Sequence, residues 1–464
     1  MAKTDDSVRI GEAGPGGGLD GFFKITERGS TVRIEVIAGV TTWLTMAYIL
    51  FVNPAILGLD GKGLAFAQVL TVTALAAGVM TILMGVVANY PFALAAGLGL
   101  NAFVAFTLVL GDKLTFPQAM GVIVSEGILI TILVLTGVRE AIINAIPMDL
   151  KRAIGIGIGA FIALIGLVNA GVVTNTGATP LSLMPDLTTW PIAVFLLGLA
   201  VSGALVARKV KGALLIGILA STLLATIVNE VSHLKYWKFG IVALPHKVWA
   251  SPDFHLVGKF SFGFISKLGI ITALAAVGSV MLSDFFDTVG TVIGIGGEAG
   301  LLDKDGKLPG MKKVLLIDSL AAVAGGFTSS SSNTTFIESA SGVSEGGRTG
   351  LASVVTGGLF LLAMFFSPIA GIIPAEATAP ALVIVGYFMM TLVKDIDWGD
   401  AGIGIPALLT IVMMPFTYSI TNGVGAGFVT YTVIAVLRGK GKDVHPLMYV
   451  VAAIFALYFI HGVV

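Results

Sequence analysis

The chain has 464 residues, 56% of them hydrophobic and only 12% charged, with a mean hydropathy of +0.97. A soluble domain carries about 25% charged residues, so this composition excludes an ordinary soluble enzyme, a nucleic-acid binder and a disordered chain. The 27 Lys and Arg balance the 27 Asp and Glu, leaving no net charge to attract a polyanion, and the absence of cysteine excludes disulfides, thiolate metal sites and cysteine nucleophiles.

The first 35 residues are polar and glycine-rich, as in Gly14, Gly16, Gly17 and Gly18, and lack the apolar core and small-residue cleavage site of a signal peptide. The first apolar span is then its own insertion signal, and 1–35 reads as a cytoplasmic segment. About 20 apolar residues cross the hydrocarbon core as a helix. Such runs fall near 36–57, 66–88, 117–137, 153–170, 189–207, 211–229, 268–290, 350–371, 378–393 and 403–420. Four segments, 91–108, 312–326, 328–342 and 423–437, are shorter or broken by glycine and hydroxyl residues. Together they predict an all-α polytopic membrane protein of fourteen segments. A last apolar stretch, 445–464, is either a fifteenth element or an interfacial helix.

Basic residues favour the cytoplasmic side. With the N-terminus inside, the inner segments hold five basic residues before residue 36, then Arg139, Lys151, Arg152, Arg208, Lys209, Lys211, Lys304, Lys307, Lys312, Lys313, Arg348, Lys394, Arg438, Lys440 and Lys442. That is 20 of the 27. The outer loops hold Lys62, Lys113 and five in the long segment 230–267, where the rule is weaker.

Two halves of seven spans must run in opposite directions, because seven is odd. An internal echo agrees: Ile146 and Pro147 are followed by Gly159 and Phe161 at the spacing that separates Ile373 and Pro374 from Gly386 and Phe388. Glycine-broken segments also occur in both halves, at 91–108 and 328–342. Interrupted hydrophobic segments at corresponding places are the best sequence pointer to a transporter's substrate site.

An ionisable side chain inside a span costs about 2.5–3.5 kcal/mol on insertion scales and is a functional candidate by default. Five qualify, Glu126, Asp284, Asp287, Asp318 and Glu338, and none has an obvious basic partner within a span. Buried carboxyls of this kind can take up a proton with substrate and release both together. Asp284 and Asp287 lie three apart on one helix, and Asp287 shares a face with Thr291. Asp284 reads as a polar contact between helices or a group near the water boundary, and Asp287 as functional. Glu338 is embedded in a hydroxyl-rich run from Thr328 through Thr335 to Gly342, whose polar groups cannot face lipid and must line a cavity or pack on protein. In the first half, the segment from Ala95 to Phe103 combines close-approach glycines with the amide of Asn101. It is either small-residue helix packing or an unwound stretch and half-helix aiming backbone N–H groups at a polar ligand. Glu126 and Asp318 lack such neighbours and read as structural or coupling residues. The histidines lie outside the central parts of the spans, which argues against histidine relays. Gly294 and Gly296 have no strand-turn-helix unit around them, so no dinucleotide site is expected.

The stretch from Gly39 to Pro54, the segment from Gly97 to Ala102, and the run Asp287, Thr288, Val289, Gly290, Thr291 together carry a resemblance. So do the stretches from Asn333 to Gly342, from Gly346 to Gly350, and from Ala377 to Leu382. The sequence resembles, from about residue 21 to its C-terminus, the AzgA-like adenine/guanine/hypoxanthine permeases, a branch of the nucleobase-ascorbate transporter superfamily. That resemblance implies two inverted seven-helix repeats with short strands in the third and tenth segments. It divides the chain into a core (36–137 and 268–371) and a gate (138–229 and 372–437), with a long extracytoplasmic loop at 230–267 and a C-terminal segment at 438–464. It further implies proton-coupled purine uptake across the cell's inner membrane by movement of core against gate, in a homodimer embedded in the lipid bilayer, with no cofactor and no nucleic-acid partner. The base is expected against Asp287, Glu338 and Asn101, with Ser339 and Thr335 nearby, with Phe103, Phe285 or Phe336 as candidates to stack on the ring, and with Asp287 and Glu338 handling the proton. Related sequences often read Ala-Pro-Gly-Met where this one has Ala95-Ala96-Gly97-Leu98, and Phe where it has Trp43, which bears on substrate preference.

The alternatives are a carrier for uracil, xanthine or an anion on the same fold, or a channel. An anion carrier should place a basic residue at the helix break, where this chain places acids. An intramembrane aspartyl protease is excluded by the missing Gly-x-Gly-Asp context.

Overall fold

The computed structural model describes residues 18–137, 146–175, 179, 181–232, 247–303 and 308–461. The readings made above for residues up to Gly17, for Arg139, Lys304 and Lys307, and for the stretch 233–246 of the long loop lie outside the described residues.

The chain folds into a helical membrane protein, and ten helices among the described residues are long and apolar enough to cross a bilayer. Helix α1 (Val32–Met46) starts where Thr31 accepts a hydrogen bond from the Ile34 amide, and it breaks at Ala47 and Tyr48 before α2 (Ile49–Leu57). Helix α3 (Phe66–Leu83) ends in a wider turn over Met84–Ala88, and the chain then runs extended into β1 (Leu94–Ala96). Helix α4 (Leu98–Ala102) follows at once and widens over Phe103–Gly111. A capping box of Thr115 and Gln118, with Pro117 in the first turn, starts α5 (Phe116–Thr136). Next come α6 (Met148–Asn169), the short strands β2 (Val173–Thr174) and β3 (Ser182–Leu183), α7 (Trp190–Ala207) and α8 (Ala213–Ser232).

The second half brings α9 (Ile270–Glu298), α10 (Met311–Thr328), β4 (Asn333–Thr335), α11 (Ser339–Ser344) and α12 (Gly350–Ala363). It closes with α13 (Ala375–Met390), α14 (Ala401–Thr417), α15 (Ile420–Leu437) and α16 (Pro446–His461). The segments 312–326 and 423–437 are therefore continuous helices of 18 residues each, not interrupted ones. Their glycines mark close helix contacts instead: Gly423 and Gly427 of α15 lie directly on Met414 and Thr410 of α14.

Helix α5 packs on α10 as α12 packs on α3, α7 on α8 as α14 on α15, α6 on α14 as α13 on α7, and α1 on α12 as α9 on α5. Exchanging the two halves of the chain thus maps one set of contacts onto the other. Three pairings map onto themselves, α6 with α13, α3 with α10, and β1 with β4. The echoed residues sit on the first of these. Pro147 and Pro374 precede the two helices, and a Cβ on Gly159 would stand 2.8 Å from the Gly386 carbonyl oxygen, while one on Gly386 would stand 2.5 Å from that of Gly159. Only glycine lets these backbones touch.

A helix broken inside a low-dielectric core strands backbone N–H and C=O groups, each of which must find a partner. Strands β1 and β4 solve this by pairing antiparallel, Leu94 opposite Thr335 and Ala96 opposite Asn333. The ladder is extended by Gly97 N–H to the Ser332 carbonyl at 2.9 Å and by Phe336 N–H to the Ala93 carbonyl at 2.9 Å.

Candidate functional site

The two strands cross where α4 and α11 begin, and side chains of the flanking helices hold them in place. Thr81 of α3 donates its hydroxyl to the Leu94 carbonyl at 3.1 Å, and the Thr81 hydroxyl oxygen accepts from the Leu94 amide at 2.9 Å. Asp318 of α10 does the corresponding work on β4. Its Oδ1 accepts from the Thr335 amide at 3.0 Å and the Thr335 hydroxyl at 2.8 Å, and its Oδ2 accepts from Thr288 of α9 at 2.6 Å. Ser339 accepts from the Ala93 amide at 3.0 Å. Thr335 and Ser339 are buried, and their hydroxyls are committed to the frame.

Glu338 comes directly before α11, half-buried, and its Oε1 accepts from the Tyr48 hydroxyl at 2.6 Å. Tyr48 reaches it from the break between α1 and α2, where the interruption turns a fully buried phenol toward the other half of the chain. Asp287 lies on the open side of α9, exposed, near enough to Glu338 and Asp318 for their charges to act on it, while Thr288 beside it is buried against Asp318 and Thr334. Asn101 sits in α4 at 0% exposure, and neither its Nδ2 nor its Oδ1 has a hydrogen-bond partner. Asn333 of β4 is likewise enclosed with both amide atoms unpaired. A buried amide without partners costs about 1–3 kcal/mol.

Of the residues singled out in the sequence, Glu338 and Asp287 are thus brought together at an open place. Phe103, Phe285 and Phe336 are enclosed, at 0%, 2% and 7% exposure. Asp284 and Glu126 are fully buried elsewhere along α9 and α5. Sequence reasoning missed Tyr48, although it lies within the stretch from Gly39 to Pro54, because nothing local marks a phenol whose partner is 290 residues away. It also missed Glu35, enclosed in α1, whose carboxylate accepts from the amides of Arg348 at 2.8 Å and Thr349 at 3.2 Å and so caps the start of α12.

A family model described as a permease family (Xan_ur_permease) matches residues 33–425. The chain is 42% identical over 442 residues to the adenine permease AdeP of Escherichia coli, covering 95% of this chain and 96% of that one. It is 41% identical over 456 residues to the guanine/hypoxanthine permease PbuG of Bacillus subtilis, covering 95% and 99%. Among solved structures, the transmembrane domain of a cyanobacterial bicarbonate transporter, BicA, superposes with a TM-score of 0.58 at 13% identity, covering 85% of this chain and 97% of that one. SLC26A9 superposes at 0.62 and 11% identity, covering 88% and 66%, so both share the fold. Matched over nearly its whole length, the chain belongs to the nucleobase-ascorbate transporter family, among the AzgA-like permeases.

Proposed function

We propose that the chain carries purine nucleobases (adenine, guanine or hypoxanthine) into the cell together with protons, by moving a core domain that holds the base against a gate domain. The observation that carries this reading is the meeting of two interrupted segments at β1 and β4, with Tyr48-oriented Glu338, open Asp287 and the unpaired amide of Asn101 gathered around the crossing. Guanine presents adjacent N–H donors along one edge, which match the two oxygens of a carboxylate; its ring acceptors need donors such as the Asn101 amide. Glu338 and Asp287 take the base edge and the proton between them, since two nearby carboxylates resist simultaneous ionisation. Thr335 and Ser339 fix where these groups stand. The relatives, an adenine permease and a guanine/hypoxanthine permease, favour a purine.

The exchange of helix contacts between the halves supports fourteen spans in two inverted repeats, with spans 1–4 and 8–11 as core and 5–7 and 12–14 as gate. With the N-terminus cytoplasmic, Arg28, which donates to the backbone carbonyls of Asn89 and Arg348, and the ion pair of Lys211 with Glu345 all fall on the inner side. The chain then sits in the inner membrane and works as a homodimer. The test is uptake of labelled hypoxanthine, guanine and adenine into cells lacking their own permeases. Saturable uptake, abolished by a protonophore and lost in Asp287→Ala and Glu338→Ala at normal surface expression, is expected. Wild-type uptake by both variants overturns the site, insensitivity to the protonophore overturns the coupling, and competition by uracil or xanthine alone overturns the substrate class.

A further inference from the structure

A hydrogen bond between two carboxyl groups requires a proton between them, and α5 and α9 bring two such groups together outside the site just described. Glu126 of α5 and Asp284 of α9 stand within hydrogen-bonding reach of one another. Both side chains are sealed from solvent, at 0% and 1% exposure. Ser332, the residue before β4, donates its hydroxyl to Glu126 Oε2 at 3.3 Å. Among the described residues, no N–H or hydroxyl donates to Glu126 Oε1 or to either oxygen of Asp284. Two bare carboxylates buried face to face, with one hydroxyl between them and no cation, carry an uncompensated desolvation and repulsion cost. The supply of donors also says where the proton resides. Asp284, with none, is the neutral acid that donates; Glu126, which has the Ser332 hydroxyl, is the acceptor.

The surroundings reinforce this. Asp318 of α10 and Asp287 of α9 add negative charge near the pair. Thr288 and Thr334 contribute hydroxyls already engaged with Asp318 and with each other. The basic residues on packed or adjoining elements, Lys267 before α9, Lys151 and Arg152 in α6, Lys312 and Lys313 in α10, and Arg438 after α15, stand at helix ends. On α16, Tyr458 donates to Asn422 of α15. Glu338 and Glu345 flank α11.

We propose that Glu126 and Asp284 form a second proton site, separate from the carboxyls that meet the base, in which Asp284 holds the proton and Glu126 accepts its hydrogen bond. The site is tied to the strand crossing from two sides: by Ser332, which leads into β4, and by the turn of α9 that carries Asp284, Asp287 and Thr288. A shift of β4 when a base binds therefore alters the one external hydrogen bond Glu126 has. The role in coupling rests on the proton-linked reading above, while the shared proton itself does not.

Infrared spectroscopy of the purified full-length protein separates these claims. A protonated-carboxyl C=O band, shifting in deuterium oxide and insensitive to pH through the neutral range, is expected in the wild type. It should be lost in Asp284→Asn and displaced in Glu126→Gln. An unchanged band in either variant overturns the pair, and the isosteric Glu126→Gln decides the matter should Asp284→Asn not fold. In proteoliposomes, Glu126→Gln should keep counterflow exchange of labelled base and lose accumulation driven by a pH gradient. Wild-type accumulation by that variant overturns the coupling role. Failure of the wild type to accumulate base on a pH gradient overturns the proton-linked transport proposed above and with it the coupling role, and the infrared band still decides the pair.

Discussion

Asp318 is where the frame of the site can be tested most directly. Its carboxylate accepts from the Thr335 amide, the Thr335 hydroxyl and the Thr288 hydroxyl, all buried. In Asp318→Ala the Thr288 hydroxyl can turn to Thr334, which already lies 2.8 Å away, but the Thr335 amide is fixed by the strand and is left without an acceptor. An orphaned buried donor costs about 1–3 kcal/mol and a hydrogen bond to a charged group contributes about 1.5–3 kcal/mol. Offset by relief of the buried charge, the net loss is about 2–4 kcal/mol. Asp318→Asn keeps an oxygen for both Thr335 donors and exchanges the contact with Thr288, so its loss is about 1–2 kcal/mol. Thermal unfolding of detergent-purified protein, read with and without a saturating purine, should rank wild type above Asn and Asn above Ala. The Ala variant should also lose the stabilisation conferred by the base, because β4 leads into the turn that carries Glu338. An Ala variant as stable as wild type, or one still stabilised fully by the base, would refute the role given to Asp318.

Three further outcomes follow from individual contacts. Tyr48→Phe removes one hydrogen bond to a carboxylate, about 1.5–3 kcal/mol, and should weaken base binding by roughly tenfold to a hundredfold without changing expression; equilibrium binding checks it, and unchanged affinity refutes it. Gly386→Ala puts a methyl 2.5 Å from the Gly159 carbonyl oxygen and 2.8 Å from the Ala163 side chain, so α6 and α13 must separate at a cost of about 1–3 kcal/mol; a melting temperature equal to wild type would contradict the close crossing. Asp112 follows the Phe103–Gly111 segment outside the helices, and burial pushes its carboxyl up to about 7. A group with a raised folded-state value contributes stability below its unfolded value of about 3.9 and loses it as pH rises toward 7. Asp112→Asn should therefore match wild type at about pH 4 and exceed it by about 1–3 kcal/mol at about pH 8, discounted for partial exposure; parallel melting curves across that range would refute it.

How much of this was legible in the chain depends on the distance over which each feature is decided. Apolar length located nearly every helix, because the bilayer reads composition locally. The breaks at 91–108 and 328–342 were legible too, since hydroxyls and glycines in an apolar setting have few other uses. The segments at 312–326 and 423–437, read as shorter or broken, carry glycine as well but are continuous helices. Their glycines answer to neighbours, Ser331 beyond Gly325 and Met414 beside Gly423, and no pattern within the helix separates a glycine that unwinds it from one that seats it. The pairing of Gly159 with Gly386 was half-visible: the echo in spacing marked both residues, but only the fold brings them together.

Residue type alone placed five acids in one class, and what divides them is the supply of donors, which comes from segments far away in sequence. Asp318 receives three hydrogen bonds and is thereby fixed as part of the frame. Glu338 receives one, from Tyr48, and keeps a half-open face; Asp287 is open altogether. Those two have capacity left for a ligand. Glu126 receives one hydroxyl in a sealed place, and among the described residues no N–H or hydroxyl reaches Asp284, which is what the shared proton proposed above answers. Access and donor count thus set Asp318, the carboxyl of the frame, apart from the carboxyls proposed above to meet the base or to hold a proton. The two kinds of role need different residues, because a carboxyl bound firmly enough to hold the strands has nothing left to release.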